Sequence, residues 1–206
     1  MGLHPRFSRA VTAGFVLSTL LVAPVGARTR PAVVRSTTAD VSRIRIDNFG
    51  RINPNFYRGA QPRGRDYVDL ASLGVKTVIN LASDDADPAE PSMSERAGLR
   101  YVQIPMTTHQ APTADQIARF LAIVNDPASQ PVYVHCVGGR HRTGVMTAGY
   151  RMTHDGWSAD RAFQEMKQYK FGADFLHAEF KQFVYGYRNA VALAAPAPAV
   201  ATKAGS

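Results

Sequence analysis

The stretch Val134-His-Cys-Val-Gly-Gly-Arg-His-Arg-Thr-Gly144 constrains this chain more than any other. It holds the only cysteine of the 206 residues, Cys136, and after five intervening residues an arginine, Arg142. The apolar, β-branched run Pro131–Val134 precedes it and a helix-compatible run, Thr143–Met152, follows, which puts Cys136 at a strand-to-helix turn. Such a turn presents unpaired backbone N–H groups and the positive end of a helix dipole, a ready site for an anion. Gly138, Gly139 and Gly144 let the backbone fold closely around a tetrahedral oxyanion.

The same field acts on the sulfur. A free thiol titrates near ~8.5, and at a helix N-terminus beside Arg or His⁺ the value falls to about 3.5–7.5, so Cys136 is expected as a thiolate nucleophile. Arg142 offers a planar fork of donors for two oxygens of a phosphoryl group, while Val137, Gly138, Gly139, Arg140 and His141 form the rest of the cradle. Thr143 is placed to give its hydroxyl to the sulfur and make it a better leaving group.

His135-Cys136, five residues, then Arg142-Thr143-Gly144 resembles the phosphate-binding loop of the cysteine-dependent protein tyrosine and dual-specificity phosphatases. Asn55-Phe-Tyr-Arg-Gly-Ala-Gln-Pro62 and Lys76-Thr-Val-Ile-Asn-Leu81 are similar to the compact atypical dual-specificity phosphatases of bacteria, fungi and plants, and the likeness runs from about Ile44 to Arg188. The resemblance implies a two-step phosphomonoesterase with a phosphocysteine intermediate and no metal or other cofactor. Cys136 is then the nucleophile, Arg142 the phosphate clamp and Thr143 the hydroxyl. Its substrate is a phosphoprotein or a small phosphate ester.

Other readings stay open. Rhodanese-like sulfurtransferases also place a cysteine on an anion-binding loop between strand and helix, and a weakly catalytic phosphate-binding domain fits the same glycines. Arg140 and His141 give the loop more positive charge than one phosphate requires, which favours polyanions such as inositol polyphosphates. Against that, Val137 stands where some polyphosphate-directed relatives carry a lysine. The six histidines are scattered and no Cys or carboxylate cluster has ligand spacing, so no metal site is expected. A Gly-Lys-Ser/Thr nucleotide loop is lacking too.

At 206 residues, 45% apolar and 19% charged, the chain fits one globular domain. Residues 1–27 read as a secretory signal: Arg6 and Arg9, the apolar stretch Val11–Val22, then Val25-Gly-Ala27 as a cleavage site. Export to the periplasm or beyond is the expectation, with an uncleaved membrane anchor as the alternative. The formal charge of +8 is unevenly spread. The arm at 28–45 has Arg28, Arg30, Arg35, Arg43 and Arg45 against Asp40, and the chain from Ile46 onward carries only +2. That argues against a nucleic-acid partner. The arm is either solvated, the favoured reading, or in weak contact with anionic membrane. Nothing in the sequence fixes the oligomeric state.

Periodicity orders the domain at 44–190, between a basic arm at 28–43 and an Ala/Pro-rich tail at 191–206. Ser42–Ile52 reads as an edge strand and Phe56–Gly59 as a second, in which Arg58 is expected to pair with a carboxylate. A helix over Gly64–Leu73 precedes the buried strand Lys76–Leu81 and the acidic turn Ser83–Pro88, read as solvated although near the ligand end of the sheet. Then come a short helix at Ser92–Ala97, a strand at Leu99–Ile104 and a helix from the capping box Thr113-Ala-Asp-Gln116 to about Asn125. After the Pro131 strand and a central helix to about His154, a Ser158-capped helix follows. A last amphipathic helix carries Phe175, Leu176, Phe180, Phe183, Val184 and Tyr187. The alternation predicts an α/β fold: one domain with a small, mostly parallel sheet of four or five strands flanked by helices, like the protein tyrosine phosphatases.

One departure matters. In the larger family a loop aspartate protonates the leaving group, but the loop Pro105-Met-Thr-Thr-His-Gln-Ala-Pro112 has no carboxylate. Asp115, one turn into the next helix, and His109 are the candidates, ranked in that order.

Overall fold

The structure is a computed structural model that describes Gly2 and residues 41–83 and 85–194, with side chains through Tyr187. Apart from Gly2, the segment 1–27 read as a signal, with most of the basic arm, Asp84 and the tail beyond residue 194, lies outside the described residues. After a 3₁₀ turn at Val41–Arg43 come β1 (Gly50–Asn53), β2 (Phe56–Gly59), α1 (Asp66–Ser72), β3 (Thr77–Ala82), α2 (Glu90–Arg96) and β4 (Arg100–Met106). Then follow α3 (Ala114–Asn125), β5 (Val132–His135), α4 (His141–His154), α5 (Ala159–Gln168) and α6 (Ala178–Ala194).

The sheet has five strands in the order β1-β2-β5-β3-β4. Only the β1–β2 pair is antiparallel; β5 runs parallel to both β2 and β3, and β3 parallel to β4. The last strand in sequence thus lies at the centre. Register places Gly59 and Asn80 on either side of His135, so three carboxyl ends meet where Cys136 begins.

Alternation of side chains across the pleat divides the core. Val132 and Val134 of β5 face one layer with Phe56, Ile79, Leu81 and Ile104, covered by apolar side chains of α3, α4, α5 and α6. Tyr133 lies on the other face with Tyr57, Val78 and Leu99, covered by α1 and in part by α2. Helix α4 is apolar or small along most of its length and buried nearly all round.

Helix starts follow local chemistry. Thr113 accepts from the Gln116 N–H while the Gln116 side chain accepts from the Thr113 N–H, a complete capping box. Ser158 caps α5 through the Arg161 N–H. Three expectations fail. The edge strand read over Ser42–Ile52 is confined to Gly50–Asn53, the chain before it being a 3₁₀ turn and loop that pairs with no strand among the described residues. Phe175 and Leu176 precede α6 and are 80% and 58% exposed, because the chain is still turning there. Arg58 is buried and pairs with no carboxylate among the described residues: one Nη2–H donates to the Gly139 carbonyl at 2.6 Å and the guanidinium lies over the Tyr169 ring. Among the described residues no helix is long and apolar enough to cross a membrane.

Candidate active site

Strand β5 delivers Cys136 into a loop that closes at the N-terminus of α4, and the sulfur-bearing residue is only 3% exposed. Burial alone pushes its thiol up. The hydroxyl and N–H of Thr143, the Arg140 N–H and the charge of Arg142 pull the other way and leave it below the ordinary value.

Gly139 holds the bend of the loop at φ +63°, and a Cβ there would lie 2.3 Å from the carbonyl carbon and oxygen of Gly59. Its own carbonyl is gripped twice, by Asn48 Nδ2 at 2.8 Å and Arg58 Nη2 at 2.6 Å. Asn48 also donates to the Tyr169 carbonyl. Burial lowers the Arg58 pKa to about 10, and Tyr169, Glu165 and Cys136 oppose that fall. A cation held this close also favours the thiolate. Gly139→Ala is therefore expected to destabilise the fold by about 1–3 kcal/mol and to weaken oxyanion binding, read by thermal denaturation and a tungstate titration.

Arg142 lies almost fully buried on the first turn of α4. Its two terminal nitrogens donate to Asp85 Oδ1 at 2.7 Å and Oδ2 at 2.6 Å, and Nη1 reaches the Met106 carbonyl at 3.1 Å. The Arg142 hydrogen bonds hold the Asp85 carboxyl below its usual range, against a smaller opposing effect of burial. The solvated acidic turn expected from the sequence is thus wrong for Asp85, which reaches 57 residues along the chain to the arginine. A cavity of about 370 Å³ opens here, lined by Asp85, Thr108, Cys136, Val137, Gly138, Arg140, His141 and Arg142.

A family model described as "DSP-PTPase phosphatase fused to NAD+ Kinase" matches residues 33–183. The chain belongs to this phosphatase family. It is similar to the dual specificity protein phosphatase TpbA of Pseudomonas aeruginosa (strain UCBPP-PA14), 30% identical over 125 residues, 61% of this chain and 56% of that protein. It is 26% identical over 130 residues to the inositol diphosphatase SIW14 of Saccharomyces cerevisiae, 61% of this chain and 46% of that protein. The chain thus spans about half the length of these two relatives. The crystal structure of P. aeruginosa TpbA superposes with a TM-score of 0.60 at 27% identity, over 72% of this chain and 92% of that one. A cysteine-to-serine variant of TpbA in complex with pTyr gives 0.60 at 26%, over 72% and 91%.

Of the family-type residues named from sequence, the structure brings Cys136, Arg142, Thr143 and the intervening loop together. The two candidate acids do not line the cavity. Asp115 is exposed on the first turn of α3, and His109, also exposed, sits one residue past Thr108. Sequence reasoning missed Asn48, Glu90 and Asn80. Glu90 Oε1 lies 2.7 Å from His135 Nε2, both side chains being fully buried, and Asn80 Nδ2 donates to Glu90 Oε2 at 2.7 Å. These contacts brace His135, the residue before Cys136, from the α2 side. The one available signal was Asn80, a lone polar residue inside the apolar run Val78–Leu81. The expectation that no ligand cluster exists also needs correction, since His109, His177 and Glu179 converge although far apart in sequence.

A second depression of about 240 Å³ adjoins the first and shares Val137, Gly138 and Arg140 with it. Arg45, Arg63 and Lys170 line it, opposed by Asp47 and Asp66.

Proposed function

We propose that the chain hydrolyses phosphate monoesters through a phosphocysteine on Cys136. The observation that carries this is the meeting of a buried, acidified thiol with Arg142 and Thr143 at the N-terminus of α4. The thiolate attacks phosphorus, an S–P bond forms and the bond to the ester oxygen breaks. Arg142 and the loop N–H groups hold the equatorial oxygens. Water then attacks phosphorus, the S–P bond breaks, and inorganic phosphate leaves with the thiolate restored. The Thr143 hydroxyl supports the departing sulfur.

Asp85 is the proton donor favoured by the geometry, ahead of His109 and Asp115. In the free protein it is ionised and occupies the Arg142 fork that the phosphoryl group needs. An arriving phosphate takes the fork, so Asp85 loses the main cause of its lowered pKa and faces a like charge instead. Both changes raise its pKa toward the protonated state a donor requires. Asp85 protonates the leaving oxygen and recovers a proton from the attacking water.

For the substrate class, the pTyr held by the TpbA variant supports a phosphotyrosine-type ester. The basic depression beside the loop, together with the name of SIW14, supports an inositol polyphosphate or similar polyanion as the second reading. Export remains the proposal for residues 1–27. The test is hydrolysis of an aryl phosphate by the purified protein in EDTA. Turnover that persists in EDTA and is lost in Cys136→Ser supports the reading, and a wild type as inert as that variant overturns it.

A further inference from the structure

We propose that His109, His177 and Glu179 form a binding site for a divalent transition metal of zinc type beside Thr108 and His141, two residues that line the cavity. One ring nitrogen from each histidine and one oxygen of Glu179 lie within 4.8 Å of one another. Two imidazoles and a carboxylate are a donor set that zinc accepts, with a fourth position left for water or an anion. Metal–ligand bonds of about 2.0–2.2 Å in a tetrahedron separate ligand atoms by about 3.3–3.6 Å. The three groups need to draw in by roughly 1 Å, and His109, exposed on the loop after β4, is free to supply that movement.

The other two groups are already placed. The Thr108 carbonyl lies 2.9 Å from His177 Nδ1, and the His177 ring packs against Phe180 and His141, the latter with ring centres 3.8 Å apart. With Nδ1–H donated to that carbonyl, Nε2 is the nitrogen left for a metal, the usual arrangement of a metal-binding histidine. Glu179 Oε1 is buried, 3.5 Å from His177 Nδ1, and has no hydrogen-bond partner among the described residues. A buried carboxylate oxygen without a donor calls for a cation or water. Occupancy ties the loop that carries Thr108, a wall of the cavity, to the start of α6. His141, which immediately precedes Arg142, stacks on one of the ligands. The site stands apart from the phosphocysteine reading and is not required for it.

The test uses the Cys136→Ser protein, so that thiolate coordination does not contribute. Zn²⁺ is titrated by calorimetry, and Co²⁺ is added for its visible spectrum. One ion per chain is expected, with a tetrahedral Co²⁺ band, and affinity falls more than about tenfold in both His109→Ala and Glu179→Gln. His109 is exposed on a loop, so its replacement leaves the fold intact; circular dichroism confirms this. Binding of equal strength in both variants, or no binding in the Cys136→Ser parent, overturns the proposal.

Discussion

Cys136→Ser is expected to lower aryl phosphate hydrolysis by at least about 10⁴-fold while the protein stays folded and still binds oxyanions. The substitution barely changes volume at a position that is 3% exposed, so the loop and its N–H groups keep their places. What is lost is the ionised nucleophile. The hydroxyl and N–H of Thr143, the Arg140 N–H and the Arg142 charge outweigh burial and lower the pKa of a thiol here. They do not suffice to ionise an alcohol, whose intrinsic pKa is far higher. A tungstate titration beside the rate assay separates the two effects. Tight tungstate binding with no turnover is the expected pair.

The second large effect belongs to Asp85. Asp85→Asn is expected to cost roughly 10²–10⁴ in rate on alkyl phosphates, which leave poorly, and far less on an activated aryl phosphate. Tungstate should bind more tightly at the same time, because the charged competitor for the Arg142 fork is gone. Slower chemistry with tighter anion binding distinguishes this role from a merely structural ion pair, whose loss would weaken both.

The pH profile carries the same signature. The lowered Cys136 pKa places the acid limb below the ordinary thiol range, and activity rises as pH passes through it. In the substrate complex, where phosphate has taken the Arg142 fork, kcat falls as Asp85 ionises, and Asp85→Asn should flatten that alkaline limb of the kcat profile. Equal losses on good and poor leaving groups would return the donor role to His109.

How much of this was legible in the sequence depended on the range of the interaction. Thr113 with Gln116 and Ser158 with Arg161 are contacts across three residues, so both caps could be read directly. The central strand Val132–His135 and the glycine loop after it were equally local. The acidic turn marks the limit. Asp87 is consumed at short range, its Oδ1 accepting from the Ala89 N–H, while its near neighbour Asp85 crosses the sheet end to Arg142. Nothing in the order of residues tells those two carboxylates apart; the strand order does, by bringing the loop after β3 beside the start of α4.

Arg58 makes the same point. A strand arginine reads as half of a surface ion pair, yet here β2 lies directly beside the central strand, and the guanidinium turns into the protein to hold the Gly139 carbonyl. Phe175 and Leu176 were misread for the opposite reason. Their spacing continues the apolar stripe of α6, but α6 begins only at Ala178 and leaves them in solvent.

The most direct measurement is acid quenching of the protein during turnover of a slow phosphate ester, followed by mass spectrometry of the peptide that contains Cys136. A phosphoryl group on that peptide, formed and discharged at the rate of turnover and absent in Cys136→Ser, is the expected result. Turnover without phosphate on Cys136, or with phosphate on another residue, would contradict the phosphocysteine account.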